Sequence, residues 1–136
     1  MCPWNEKFAL PVREGAFRPR RAIAGKDASA LARELLAMSD EEFRIAFRGS
    51  PMKRAKLRGL KRNSTVVLGN VPSREDVDLL VSALADEEPL TRSHAAWALA
   101  RIGLSEVAPH LRDRLDGEAD VSVREALLEA LAQLAA

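Results

Sequence analysis

With 136 residues, 47% of them apolar but only 4% aromatic and none tyrosine, the chain can fill one modest core of Ala, Leu and Val in close-packed helices. No apolar run is long enough to span a membrane and none follows Met1 to act as a signal peptide; the single cysteine, Cys2, excludes an internal disulfide, which points to a reducing, cytoplasmic setting. The formal net charge of +1 divides into +8 over residues 1–62 (15 Lys/Arg, 7 Asp/Glu) and −7 over 63–136 (6 against 13), so the basic half either faces a polyanion or is attracted to the acidic half.

In chain order, residues 1–26 carry Pro3, Pro11 and Pro19 without a helical period, which predicts an extended arm. Its aromatics Trp4, Phe8 and Phe17 should anchor on the helical body or on a partner. Asp27 can cap a helix to about Met38, and Ser39 with Glu42 forms a capping box opening a short helix through Phe43 and Phe47. Ser50 and Pro51 supply an N-cap and a proline at the first helical position. That third helix is expected to run to about Leu68 and to end at the Gly69-Asn70 cap. Ser73 with Asp76 looks like another capping box, opening a helix to about Ala85. Pro89 starts the next, which Gly103 ends. Ser105 opens one to about Leu115, closed by Gly117, and Asp120 or Ser122 opens the last, nearly to Ala136.

The second half repeats. Val77, Val81, Leu84, a turn at 86–89, then Arg92, Ala95, Ala96, Leu99 and Ile102 correspond to Val107, Leu111, Leu115, a turn at 117–120, then Arg124, Leu127, Leu128, Leu131 and Leu134. The offset drifts from 30 to 32 residues, and a degenerate earlier copy is visible at Lys61, Val67, Leu68 and Gly69. A helix pair of this period cannot bury its apolar stripe alone, so stacking creates the core. The Asp-containing turn followed by Val123-Arg124, or by Thr91-Arg92, and an Ala/Leu run resembles short HEAT repeats. That resemblance implies an all-α fold: a right-handed stack of HEAT-like helix pairs, a short α-solenoid of about seven helices, preceded by the extended arm. Glu125, Glu129 and Gln133 offer the last helix a polar outer face.

Between Arg48 and Asn63 lie seven basic residues and no acidic one. On a helix Arg54, Arg58 and Lys61/Arg62 share a stripe, Lys53 and Lys56 flank it, and Leu57, Leu60, Ser64 and Val67 face the body. Arg44 and Arg48, one turn apart on the preceding helix, can extend the surface. Such a cation stripe suits salt-sensitive, largely sequence-independent phosphate binding. The candidate nucleic-acid contacts are thus Arg44, Arg48, Lys53, Arg54, Lys56, Arg58, Lys61 and Arg62. The alternative is a solvated face relieved by the acidic half.

Chemistry-bearing groups do not converge. His94, beside Trp97, reads as a packed or capped residue and His110 as a surface one, 16 residues apart. The acidic run at 40–42 suits a helix N-terminus and that at 86–88 a turn. No nucleophile elbow, phosphate loop or dinucleotide fingerprint is present, and no catalytic or cofactor-binding residue is assigned.

The opening Cys2-Pro3-Trp4-Asn5, the segment Gly49–Asn63, Val67-Leu68-Gly69-Asn70 and His94–Leu99 resemble the C-terminal part of the epoxyqueuosine reductases. That resemblance implies that the chain is a piece of a larger enzyme, cut at its last iron–sulfur cysteine. Residues 1–26 would continue from a missing ferredoxin-like domain and 27–136 would be a HEAT-like domain, with a basic part at 27–70 and two repeats at 73–136. Cys2 would ligate a [4Fe–4S] cluster only in the full-length parent, whose clusters and cobalamin lie upstream. The fragment itself would carry no cofactor and no activity, and would help to position tRNA for the reduction of epoxyqueuosine. Its expected partners are tRNA and the upstream catalytic domains, with no membrane, and a weak dimer could form through apolar surface that the cut uncovers. The rival reading is a free-standing HEAT-like protein-interaction module.

Overall fold

The computed structural model describes residues 22–136 together with Leu10 and Gly15. Most of the expected arm, including Cys2, Trp4, Phe8 and Phe17, lies outside the described residues. Among those described, seven α-helices and no strand appear: α1 (Ala28–Ala37), α2 (Asp40–Ala46), α3 (Lys56–Asn70), α4 (Val77–Ala83), α5 (Pro89–Ile102), α6 (Ala108–Gly117) and α7 (Val121–Ala135). Three 3-10 turns, Pro51–Ala55, Arg74–Asp76 and Ser105–Val107, precede α3, α4 and α6.

Local chemistry sets most of these boundaries. Asp27 accepts a hydrogen bond from the Ala30 amide at 2.7 Å, and Asp120 one from Val123 at 3.1 Å, so both are side-chain N-caps. Ser39 and Glu42 exchange the reciprocal bonds of a capping box. Gly103 ends α5 at φ 74°, a left-handed conformation that glycine adopts without steric cost.

Helices α1, α3, α5 and α7 lie side by side in one row, while α4 packs on α5 and α6 on α7. Leu68, Leu80, Leu99, Leu111, Val107, Val123 and Leu127 are fully buried between these elements. Each such aliphatic side chain contributes about 1.5–3 kcal/mol of burial. The central helix α5 is enclosed on several sides, and its buried Ala95, Ala96, Ala98 and Ala100 let neighbouring backbones approach closely. A second cluster, Leu35, Phe43, Phe47, Leu57 and Leu60, joins α1, α2 and α3, with the two phenylalanine ring centroids 5.2 Å apart.

Four expectations need correction. The third helix does not start at Pro51: Ser50 caps a 3-10 turn instead, and Lys56, at φ 56° and ψ 156°, breaks the path between that turn and α3, of which it is the first residue. Gly69-Asn70 is no C-cap, because α3 continues to Asn70 and Gly69 is buried inside it. A Cβ at Gly69 would stand 2.2 Å from Trp97 Cζ3, so close helix contact, not chain reversal, requires glycine there. Asp76 closes no capping box, since it is buried and its carboxylate accepts from Arg33 Nε of α1 at 2.5 Å. Ser105 supplies no cap, being itself the first residue of a 3-10 turn. Gln133 stays exposed while it donates to the Ala100 carbonyl at 3.3 Å.

Candidate nucleic-acid interface

The break at Lys56 shapes the basic surface. Buried Leu57 and Leu60 pin the first turns of α3 to the core, and the 3-10 turn before it carries Lys53 and Arg54. Arg54, Lys56, Arg58 and Arg62 thereby line one cleft of about 430 Å³, closed on the far side by Glu88, Leu90 and Thr91 at the start of α5. Arg44, Arg48 and Lys53 line another hollow, of about 370 Å³, with Glu41 and Ile45. A third, of about 690 Å³, carries mixed charge: Lys56, Arg58 and Lys61 opposite Asp40, Asp86, Glu87 and Glu88.

The eight cations are not equivalent. Arg44 pairs with Glu41 one turn away. Arg58 reaches Glu88 at 3.2 Å, with 60% of its side chain still exposed. Arg62 donates to the Asn63 side chain at 3.2 and 3.3 Å. Lys53, Arg54 and Lys56 are exposed, and Arg48 is exposed as well. Lys61 differs: only 23% of its side chain is accessible, and it turns to Asp86 at 3.5 Å.

That Lys61–Asp86 pair belongs to a ladder that sequence reading missed. Arg92 forms the equivalent pair one repeat later, donating Nε and Nη2 to Glu118 at 2.7 and 2.8 Å. Asp86 accepts from the Glu88 amide at 3.0 Å, and Glu118 from the Asp120 amide at 2.9 Å, so each acid also closes its own turn. Arg92 and Arg124 each donate to two carbonyls of the preceding turn, Asp86 and Glu87 for the first, Leu115 and Glu118 for the second. Asp86 and Glu118 stand 32 residues apart, as Arg92 and Arg124 do, so extending the periodic comparison into the turns would have found them.

Glu118 is only 2% exposed, and Arg114 joins Arg92 on it at 2.6 Å. The Arg92 hydrogen bonds, with help from the Asp120 amide and Arg114, outweigh burial and pull its carboxyl down to about 2. The Arg92 guanidinium is correspondingly raised by its bond to Glu118, and Arg33 is raised by its bond to Asp76. These pairs hold the stack together. They leave the cleft cations outside the ladder.

Catalytic groups do not gather in the same way. His110 is exposed, and His94 is half-buried with Nδ1 2.6 Å from the Leu90 carbonyl. Among the described residues no three of His, Cys, Asp and Glu could share a metal ion. A [4Fe–4S] cluster takes four thiolates, and with one cysteine in the sequence these residues alone do not fit one.

Helix pairs stacked in two rows, with Lys61 and Arg92 each reaching an acid of the following turn, define an α-solenoid. The HEAT-repeat family profile matches residues 56–132, and the chain belongs to that family. It is 41% identical over 104 residues to an epoxyqueuosine reductase of Pseudomonas aeruginosa, covering 76% of this chain and 27% of that one. The Escherichia coli K12 epoxyqueuosine reductase is 36% identical over 102 residues, with 74% and 25% covered. The chain thus spans about a quarter of the length of these epoxyqueuosine reductases, their C-terminal part. A crystal structure of an epoxyqueuosine reductase with a tRNA-Tyr epoxyqueuosine-modified stem loop superposes with TM-score 0.72 at 25% identity, over 77% of this chain and 28% of that one.

Proposed function

We propose that this chain is the non-catalytic HEAT-repeat part of an epoxyqueuosine reductase-like oxidoreductase and that it helps to bind and position tRNA in the cytoplasm. In this reading the iron–sulfur and cobalamin centres, and Cys2 as a cluster ligand, act only together with the remaining three quarters of such an enzyme. One observation carries the proposal: Arg54, Lys56, Arg58 and Arg62 line one cleft and Arg44, Arg48 and Lys53 line another hollow, Lys53 and Arg54 being consecutive in the 3-10 turn before α3. Cations spaced along a surface are what a phosphodiester chain requires, and they position it without reading bases. Lys61 has a smaller share, being committed to Asp86. The relative whose structure holds a tRNA stem loop supports the same substrate class.

Total tRNA should therefore bind the chain with an affinity that falls steeply as salt rises, and Arg54→Glu/Arg58→Glu should abolish binding while leaving the circular dichroism melt in place. RNA binding unchanged by that pair would refute the proposal. A second reading, a protein-docking module, is favoured by the exposed Val121 and Leu128 on α7, where a weak dimer would also form. It predicts salt-insensitive association with a protein and none with RNA.

A further inference from the structure

The cation cleft continues into a second, apolar hollow along the same two helices. On α3 the residues Arg58, Arg62, Val66 and Asn70 are each four apart and share one face. The first two line the cleft; the last two line a hollow of about 460 Å³ with Ser93, His94 and Trp97 of α5 and Ala126 of α7. On α5, Leu90 belongs to the cleft and His94 and Trp97 to the hollow. At a rise of about 1.5 Å per residue, Arg62 and Asn70 are about 12 Å apart along α3. A short stretch of single strand covers that distance.

We infer that the hollow is a nucleobase subsite: an unstacked base of a single-stranded RNA segment rests against Trp97 while its neighbouring phosphates lie among Arg54, Lys56, Arg58 and Arg62. The inference rests on the RNA-binding reading above and extends it from the backbone to a base. Three features fit this occupant. The Trp97 ring lies against the α3 backbone at Gly69, where even a methyl group would collide with it, so the indole is held as a firm platform. The His94 ring is fixed by its 2.6 Å contact with the Leu90 carbonyl. Beside this apolar floor stand the exposed Asn70 side chain, which can meet a base edge, and the Ser93 hydroxyl, which donates to the Pro89 carbonyl at 3.1 Å and keeps only its accepting capacity. RNA loops are bound in this way, by aromatic stacking beside a cationic track.

The test uses the 136-residue chain with Trp4→Phe, which leaves Trp97 as its sole tryptophan. A short single-stranded oligoribonucleotide should quench Trp97 emission, whereas inorganic polyphosphate and the same strand made abasic should bind without quenching. Ala126→Leu, which fills the hollow from α7, should weaken the oligoribonucleotide about tenfold and leave polyphosphate affinity unchanged. Emission of Trp97 that is indifferent to the base, or equal affinity for intact and abasic strands, overturns the inference. So does displacement of a bound peptide, with no effect of RNA, from this hollow. If Arg54→Glu/Arg58→Glu still binds RNA, the RNA-binding reading itself falls. If that pair abolishes binding while the base makes no difference, only the nucleobase subsite falls.

Discussion

At the scale of single residues, Glu118 links chemistry to stability most directly. Its carboxyl is held at about 2 in the folded chain, below the ordinary 4.5, by Arg92 first, then by the Asp120 amide and Arg114. A depressed folded value means that its stabilisation is fully present above about pH 4.5 and is lost as pH falls toward 2. The magnitude is on the order of 3 kcal/mol. Thermal melts should show this loss between those limits, and Glu118→Gln should be less stable at neutral pH and flatter across the same window. A melt of the Gln variant as pH-dependent as the parent's would contradict the assignment. The caps at Asp27, Ser39 and Asp120 were legible because each acts within three residues of itself. Asp76 was not, because its partner Arg33 lies 43 positions away.

Helices come next, and here the periodic pattern was the reliable signal. Seven helices follow from the spacing of apolar residues and from short polar turns, and all seven appear among the described residues. The break before α3 escaped notice, because Ser50-Pro51 is a start signal for either kind of helix and a lysine at φ 56° leaves no mark in the sequence. Gly69 was misread for a related reason. A glycine near a helix end suggests a cap, but its actual cause, Trp97 on α5, is remote in sequence. Gly69→Ala should push α3 from α5 and cost about 1–3 kcal/mol in denaturant unfolding. Trp97→Leu in the same chain should recover most of that loss. Additive effects of the two substitutions would show that they do not meet.

Across the whole molecule, the charge division read from the sequence is met in part by attraction between the halves, while a polyanion partner for the basic half belongs to the proposal. Part of the basic half is attracted to the acidic half, through Lys61–Asp86 and Arg58–Glu88. Among the described residues, Arg44, Arg48, Lys53, Arg54, Lys56, Arg58 and Arg62 line the cleft and the hollow, and Lys53, Arg54 and Lys56 are exposed there. The candidate residues were legible because a run without a single carboxylate is visible in one dimension. Their separation into a cleft, another hollow and one ladder member depends on the turn at 51–55 and could not be read there. Glu88 pairs with Arg58 at 3.2 Å, so under the RNA-binding proposal a phosphate at Arg58 would have to displace it. Glu88→Gln should tighten stem-loop RNA about two- to fivefold in fluorescence anisotropy, the scale of an exposed ion pair. Glu87→Gln, which alters the same net charge without breaking a pair to α3, should tighten it less. Equal effects would reduce the role of Glu88 to net charge alone.

Hydrogen exchange of the chain with and without a tRNA stem loop tests the basic surface most directly. Protection is predicted to appear in the turn Pro51–Ala55 and the first turns of α3, with α6 unchanged. Protection confined to α6 and the outer side of α7, with the 51–62 segment exchanging as fast as before, would contradict the account.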